Sequence, residues 1–388
     1  MLLSFVYRSN RRQESQNMRC LTTSIPLLLL SATVIAQMPG RGGPVDALDG
    51  LDPVLLVQGK EVPGKSALSA VHGNFTYLFS TAENKAAFDK NPARYAIQLG
   101  GLCARMGRST GGNPSDFLVH DGKIYIFGSD ECHKRFQAAP AKYLPPPPRP
   151  LAKGADAIGR GRTLLDDAAR AAGPSIDSVT TLVESFSQVQ TRPQGEVQIA
   201  AKTMWSYPDR VRQDRKMSLM GKTMGSSTLM TPDGAWYLTM QGQAYPIVAA
   251  GRPSVQFDFG RHPVALLKAR RAAGVIIAAE GPTVVEGVKV DRVRFVNAVS
   301  DISVNLDAQH RIHSVSFQDR NSEGVYGTFT ILYSDYRNVD GLNLPFTVRA
   351  LFDGQPEPSQ SWKVESIAVN QPLEASLFAA PAKPDGGH

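Results

Sequence analysis

Apolar and polar positions alternate along most of the chain after residue 195. Alternation over short runs separated by turn residues is typical of strands that bury one face. The first such run covers residues 197–205, the last covers Trp362–Val369, and more than ten are present in all. Because few helical patterns interrupt these runs, we expect one large, strongly curved antiparallel sheet.

Helical periodicity occurs at three places beside these runs. Residues 163–172 carry an apolar stripe that ends at Gly173-Pro174, a common helix stop. A second helix is predicted from residue 176 to about residue 189, and a third from about residue 262 to residue 273. The predicted class is therefore α+β, with a few helices against the curved sheet.

The N-terminal part of the chain contains a repeat with a period of 48 residues. Both copies have the same spacing of aromatic and proline residues, which are Tyr77, Phe79, Phe88, Pro92 and Tyr95 in the first copy and Tyr125, Phe127, Phe136, Pro140 and Tyr143 in the second. Each copy predicts a strand, a turn and a short helix. Repetition at a fixed period indicates one packing unit used twice. We therefore expect residues 49–145 to form a small duplicated strand–helix module.

The remaining segments predict an exported protein. Four arginines precede an apolar run at residues 21–35, and a small-residue cleavage site ends at Ala36, so residues 1–36 are predicted to be a signal peptide. The run is too short to cross a bilayer, and no transmembrane span is expected in the mature chain. The predicted location is periplasmic or secreted. The other predicted segments are a flexible lead-in at 37–48, a proline-rich linker at 146–162 and a β domain at 163–382.

Composition limits the classes of partner. The chain is 42% hydrophobic and 20% charged, as in an ordinary globular protein. Removal of the signal peptide, with its four arginines and one glutamate, lowers the net charge from +7 to +4, and the mature sequence has no basic cluster. Nucleic acid is therefore not an expected partner.

The opening of the duplicated module carries a resemblance to a known family. The tripeptide Asp52-Pro-Val precedes the aromatic and proline pattern of the first copy. Together they resemble the YHS domain, whose metal-binding members carry cysteines after Asp-Pro-Val and in a Phe-Cys-x-x-x-Cys pair. Here Ser80 and Asn84 fill the pair in the first copy, and Gly128 replaces the first thiol in the second. The resemblance therefore implies a degenerate module that serves as a scaffold.

Two cysteines, Cys103 and Cys132, remain in the mature chain. In an oxidising compartment they predict one disulfide, while free thiols or a metal site shared with His133 are the alternatives. Thioethers also bind Cu(I), although methionine is equally suited to filling apolar surfaces. The leading hypothesis needs no cofactor, and copper is the alternative. The methionines concerned are Met204, Met217, Met220, Met224, Met230 and Met240.

The end of the chain carries a second resemblance. A strand leads into the turn Val339-Asp-Gly-x-x-Leu-Pro, and the chain closes with Asn370-x-Pro and Phe378-x-x-Pro. This pattern resembles the lipoprotein-carrier (LolA/LolB-like) superfamily, which implies a half-open barrel wrapped around helices with acyl chains bound inside. A curved sheet must bury its concave face or leave it for an apolar guest. The predicted lining residues are Met204, Trp205, Met230, Trp236, Leu238, Phe257, Phe259 and Leu266.

The leading hypothesis is an exported bacterial binding protein that holds a lipid or other apolar ligand and has an envelope protein as a further partner. We expect no enzymatic activity, because paired acid–base carboxylates and a glycine-rich phosphate loop are absent from the sequence. The segment around Ser109 matches G-x-S-x-G, but a nucleophile elbow requires a following helix, and Gly112-Asn-Pro follows here. The alternative hypothesis is a copper or heavy-metal binding protein of the envelope.

Overall fold

The computed structural model describes residues 44–151, 154–192, 195–219, 221–247 and 249–381. The predicted signal peptide, most of the predicted lead-in and Met220 lie outside these residues. The chain divides into two compact units. The first runs to Cys103 and also contains Thr110–His133, and the second contains Ala104–Ser109 and the chain from Lys134 onward.

The elements before residue 140 are short. The helices are α1 (Pro53–Leu56), α2 (Ala82–Lys90), α3 (Pro92–Tyr95) and α4 (Asp130–Ala138). The strands are β1 (Val45–Asp46), β2 (Lys65–His72), β3 (Phe75–Phe79), β4 (Leu102–Cys103), β5 (Gly107–Gly111), β6 (Asn113–His120) and β7 (Lys123–Phe127). They form two small sheets with the orders β1-β3-β2 and β5-β4-β7-β6.

The repeat found in the sequence is also a repeat of structure. The hairpin β2–β3 is followed by α2, and the hairpin β6–β7 is followed by α4, each element 48 residues after its counterpart. Both hairpins shift register at the same place, after Lys65 and after Asn113. A Cβ added at Gly64 would lie 2.4 Å from the backbone of Leu78, and one at Gly112 would lie 2.3 Å from the side chain of Ile126. In both copies, therefore, a glycine lies close against the equivalent residue of the next strand.

The aromatic residues of the first copy form its core. Phe88 lies with its ring centroid 4.9 Å from that of Tyr77 and 5.2 Å from that of Phe79. Ile124 and Ile126 of the second hairpin are fully buried in the same hydrophobic cluster. The aromatic spacing of the first copy is thus explained by packing within the first unit.

The second unit contains the long elements. Its helices are α5 (Ala155–Ala172), α6 (Arg252–Gly260) and α7 (Pro263–Ala269). Its strands are β8 (Thr181–Arg192), β9 (Gly195–Ser206), β10 (Arg210–Leu219), β11 (Lys222–Thr231), β12 (Gly234–Thr239), β13 (Ala244–Pro246), β14 (Ile276–Val285), β15 (Val288–Val296), β16 (Asp301–Leu306), β17 (Ile312–Arg320), β18 (Tyr326–Val339), β19 (Leu342–Phe352), β20 (Gln355–Pro356) and β21 (Trp362–Val369).

These strands form one antiparallel sheet of 14 strands within the described residues. Its order is β13-β12-β11-β10-β9-β8-β21-β19-β18-β17-β16-β15-β14, with β20 paired to β19. Helices α5 and α7 contribute to one large hydrophobic cluster with the strands, and we call the side of the sheet that they cover the helix face and the other side the outer face. The predicted curved antiparallel sheet with a few helices is confirmed.

Three helix predictions need correction. The helix expected over residues 176–189 is wrong, because Ile176–Ser178 forms only a short 3-10 turn and β8 follows it. Burial alternates along β8, and its β-branched threonines and valines favour a strand. Helix α5 begins at Ala155, inside the predicted linker, and α6 was not predicted.

The early start of α5 is explained by its packing. Two glycines in the first turns, Gly159 and Gly161, made this segment resemble a linker. A Cβ added at Gly161 would lie 2.7 Å from the backbone nitrogen of Ala279 in β14. The glycine therefore lets the helix approach the strand closely. In the described part of the chain, no helix is long and apolar enough to cross a membrane.

Candidate functional site

A small crevice opens in the second unit between α5, α7 and strands β17–β19. Several of its lining residues, among them Ala168, Val264 and Leu344, are also members of the buried core on the helix face. The crevice therefore reaches into the largest hydrophobic cluster of the unit. It is lined by Ala168, Ala172, Ile176, Pro263, Val264, Leu267, Arg311, Ile312, Tyr336, Asn343, Leu344 and Pro345.

The polar side chains of this crevice are held by neighbouring groups. Tyr336 donates its hydroxyl hydrogen to the backbone oxygen of Ile312 at 2.5 Å, and its burial raises the pKa of the phenol. The guanidinium of Arg311 lies 5.1 Å from the centroid of the Tyr336 ring and donates to Asp307 at 2.8 Å. Because the phenol is neutral and the arginine is paired, the crevice suits an apolar group.

Small residues on α5 and an ion-pair network shape the crevice. Ala168 and Ala172 present methyl groups where larger side chains would fill the space. After α7, Arg270 donates to Asp166 of α5 at 2.8 Å and to Asp177 at 2.6 Å, with its side chain only 4% exposed. The hydrogen bond from Arg270 is the main reason that the pKa of Asp177 lies below its usual value. The network thus joins α5 to the C-terminal end of α7, the two helices that wall the crevice.

The eight predicted lining residues lie on both faces of the second unit. Adjacent residues of a strand point to opposite sides, so Trp205 and its neighbour Met204 are separated by the sheet. None of the eight lines the crevice. Those that pack into the helix-face core are Trp205, Met230, Phe257, Phe259 and Leu266. Those that pack into a separate outer-face cluster are Met204, Trp236 and Leu238.

The outer-face cluster is covered by the C-terminal segment of the same chain. Leu373, Leu377 and Phe378 pack against this cluster, and Phe378 is 4% exposed. Arg212 also donates to the backbone oxygen of Leu377 at 3.3 Å. Met204, Trp236 and Leu238 therefore make internal contacts with the last segment of the described chain.

A buried acid–imidazole pair lies beside the helix-face core. Glu184 of β8 is 3.3 Å from Nε2 of His262, and the imidazole ring lies 4.8 Å from the ring of Trp205. The Nδ1 atom of His262 accepts the backbone N–H of Val264 at 3.3 Å and so caps the start of α7. Both ring nitrogens are engaged, which makes His262 part of the framework of α7 and not a free base. The pattern His262-Pro263 at a helix start was the available sequence signal.

The predicted cysteine chemistry is not present in the structure. Cys103 and Cys132 are both buried thiols and form no disulfide. Nδ1 of His133 is 2.5 Å from Asp116, and its ring stacks on Phe127 at 4.5 Å. Across the described residues, no group of three or more His, Cys, Asp and Glu side chains could hold a metal ion, so the predicted site at Cys103, Cys132 and His133 is not formed.

In the first copy of the repeat, Ser80 and Asn84 occupy the positions of the thiol pair in metal-binding YHS domains, and both donate hydrogen bonds to one carboxylate. Ser80 donates to Asp52 through both its backbone N–H and its hydroxyl at 2.7 Å, and Asn84 donates to the same oxygen at 2.7 Å. Asp52 is fully buried and also caps α1. Its position before Pro53 was the signal for this N-cap, which sequence analysis missed. The cluster is a structural network.

The methionines and Ser109, the remaining candidates from the sequence, do not come together in one site. Met217 and Met224 are cross-strand partners on the helix-face side, whereas Met204 lies on the outer face. The segment Gly107–Gly111 that contains Ser109 is strand β5 and not a strand-to-helix turn, so it lacks the geometry of a nucleophile elbow.

Comparisons with known proteins identify no family for this chain, and they do not support the expected resemblance to the YHS domain. No family model matches it, and no curated protein does. A LolA superfamily protein from Nitrosomonas europaea is similar with 10% identity and a TM-score of 0.38, covering 57% of this chain and 97% of that chain. A DUF1329 family protein from Desulfovibrio piger has 10% identity and a TM-score of 0.40 with the same coverage. Lipoprotein LppX from Mycobacterium tuberculosis has 12% identity and a TM-score of 0.24, covering 55% and 97%.

Proposed function

We propose that this protein is an exported, non-catalytic binding protein that holds a lipid or other apolar ligand between α5, α7 and the sheet, with the duplicated module as a scaffold. The observation that supports it is the crevice that reaches into the helix-face core. Most of the side chains that line it are apolar, as in pockets that bind apolar groups.

The first experiment is native mass spectrometry of the mature protein purified from the cell envelope, followed by solvent extraction. We expect a bound apolar molecule that extraction releases. Protein that carries no such molecule, and that fails to bind an added apolar fluorophore, would contradict the proposal.

A pair of variants on α5 locates the site. Ala172 lines the crevice, whereas the side chain of Arg170 is 71% exposed on the same helix. We expect Ala172→Phe to fill the crevice and weaken binding of N-phenylnaphthylamine, an uncharged apolar fluorophore, about tenfold or more. Arg170→Phe adds the same ring outside the crevice and should leave binding unchanged. Equal binding by both variants would place the ligand elsewhere.

A further inference from the structure

A row of polar side chains crosses the helix face of five strands. It lies next to a row of core residues that includes Trp205 and Val211, which are cross-strand partners. Alternate residues of a strand share a face, so the residues two positions away face the same side as this core. The polar row, as we call it, consists of Glu184, Thr203, Gln213, Thr228 and Tyr237, each paired in register with the next.

The polar row begins deep in the unit and ends near solvent. Glu184 and Thr203 are 5% and 2% exposed, whereas Tyr237 at the other end is 40% exposed. Gln213 donates from its side-chain nitrogen to the hydroxyl of Thr203 at 2.9 Å. Polar side chains cost free energy in an apolar core unless they are hydrogen-bonded, so an uninterrupted polar row at this position requires an explanation.

Two buried donors near the polar row have no acceptor among the described residues. They are Nε1 of Trp205, two positions after Thr203 along β9, and Nε of Arg261, which follows α6. A buried donor left unsatisfied costs about 1–3 kcal/mol. Acceptor oxygens of a bound molecule would remove this cost.

Two arginines and two carboxyl groups lie around the polar row. Arg261 lies 3.5 Å from Asp258, and Asp258 also interacts electrostatically with Arg215 in the next row. Glu184 is the second carboxyl group, and it lies 3.3 Å from Nε2 of His262. Because the arginines already face Asp258, an anionic headgroup on the row would meet Glu184 and find no arginine without a carboxyl partner.

We infer that the polar row holds the headgroup of the ligand, and that the ligand is an amphiphile with a neutral, oxygen-rich headgroup such as a glycerol ester. This inference rests on the proposed function, because the chain of the amphiphile occupies the crevice, whose lining residues Pro263 and Val264 directly follow His262, the partner of Glu184. The mixed donors and acceptors of the row match hydroxyl and ester oxygens.

The test is displacement of N-phenylnaphthylamine from the delipidated mature protein. We expect monooleoylglycerol to displace the fluorophore at about tenfold lower concentration than oleate, which carries the same chain on a carboxylate. Gln213→Leu and the nearly isosteric Thr228→Val should weaken monooleoylglycerol binding about five- to tenfold and leave fluorophore binding unchanged. Gln198→Leu on the outer face of β9, an exposed position, is the matched control.

The outcomes separate the two proposals. Wild-type protein that binds no fluorophore overturns the proposed function and this inference with it. Wild-type protein that binds the fluorophore, but binds oleate as tightly as monooleoylglycerol, overturns the inference alone. Unchanged monooleoylglycerol binding by both polar-row variants also overturns it.

Discussion

The close approach of α5 to β14 allows a sharp stability test with two glycines of one helix. A Cβ at Gly161 would lie 2.7 Å from the nitrogen of Ala279 and 2.8 Å from the carbonyl carbon of Ala278, so strand or helix must move. A Cβ at Gly159 would meet no atom within 4 Å. Both substitutions to alanine gain up to about 1 kcal/mol of helix propensity. Only Gly161→Ala also incurs overpacking, which costs about 1–3 kcal/mol.

We therefore expect Gly159→Ala to raise the free energy of unfolding of the second unit, and Gly161→Ala to lie about 1–3 kcal/mol below it. Tryptophan fluorescence during urea or thermal unfolding reports this unit, because all three tryptophans, Trp205, Trp236 and Trp362, lie in its sheet. The difference corresponds to about 2–4 °C in Tm for each kcal/mol. Equal stabilisation by both alanines would refute the close packing of α5 on β14.

Three further predictions concern stability. Arg270→Ala should lower the free energy of unfolding of the second unit by about 1.5–3 kcal/mol, because it removes the charge-assisted hydrogen bonds of a buried guanidinium to Asp166 and Asp177. The exposed Arg271→Ala should cost at most about 1 kcal/mol in the same urea titration. Phe378→Ala should cost about 3–5 kcal/mol and leave N-phenylnaphthylamine binding unchanged, since Phe378 packs on the outer face; weakened binding would contradict this assignment. Burial alone would raise the pKa of Asp52, but hydrogen bonds from Ser80, Asn84 and Val54 outweigh it and hold the pKa below its usual value. In Asp52→Asn we therefore expect the amide hydrogens of α1 to exchange with solvent faster than in wild type above about pH 4. The difference between the two proteins should shrink as the pH falls through the lowered folded-state pKa of Asp52.

The fold was predictable to the extent that it depends on local patterns. Alternation of apolar residues was sufficient to predict the large sheet, and the 48-residue period located two segments whose hairpins share one register. The errors occurred where local signals conflict with tertiary packing. Gly161 resembles a linker residue in sequence, yet its missing side chain is what a helix needs against β14. Only the packed structure distinguishes these two uses of glycine.

The candidate site was less predictable because it depends on which residues share a face. Met204 and Trp205 are equally apolar neighbours, and the sequence cannot say which one faces the helices. Pairing of Trp205 with Leu182 and Val211, both members of the helix-face core, decides the question in favour of Trp205. The crevice was harder still to predict, because its residues come from α5, α7 and three strands that are far apart in the chain. Only the tertiary fold brings these segments together.

The same face assignment changes what the strands β8–β12 can do. The sequence suggested an apolar lining along these strands, but the register places a core row beside the polar row on one face. The core row is already buried by the rest of the unit, so it needs no ligand to cover it. The inferred amphiphile therefore differs from a simple hydrocarbon at the polar row, because only a polar headgroup can hydrogen-bond the hydroxyl and amide groups there.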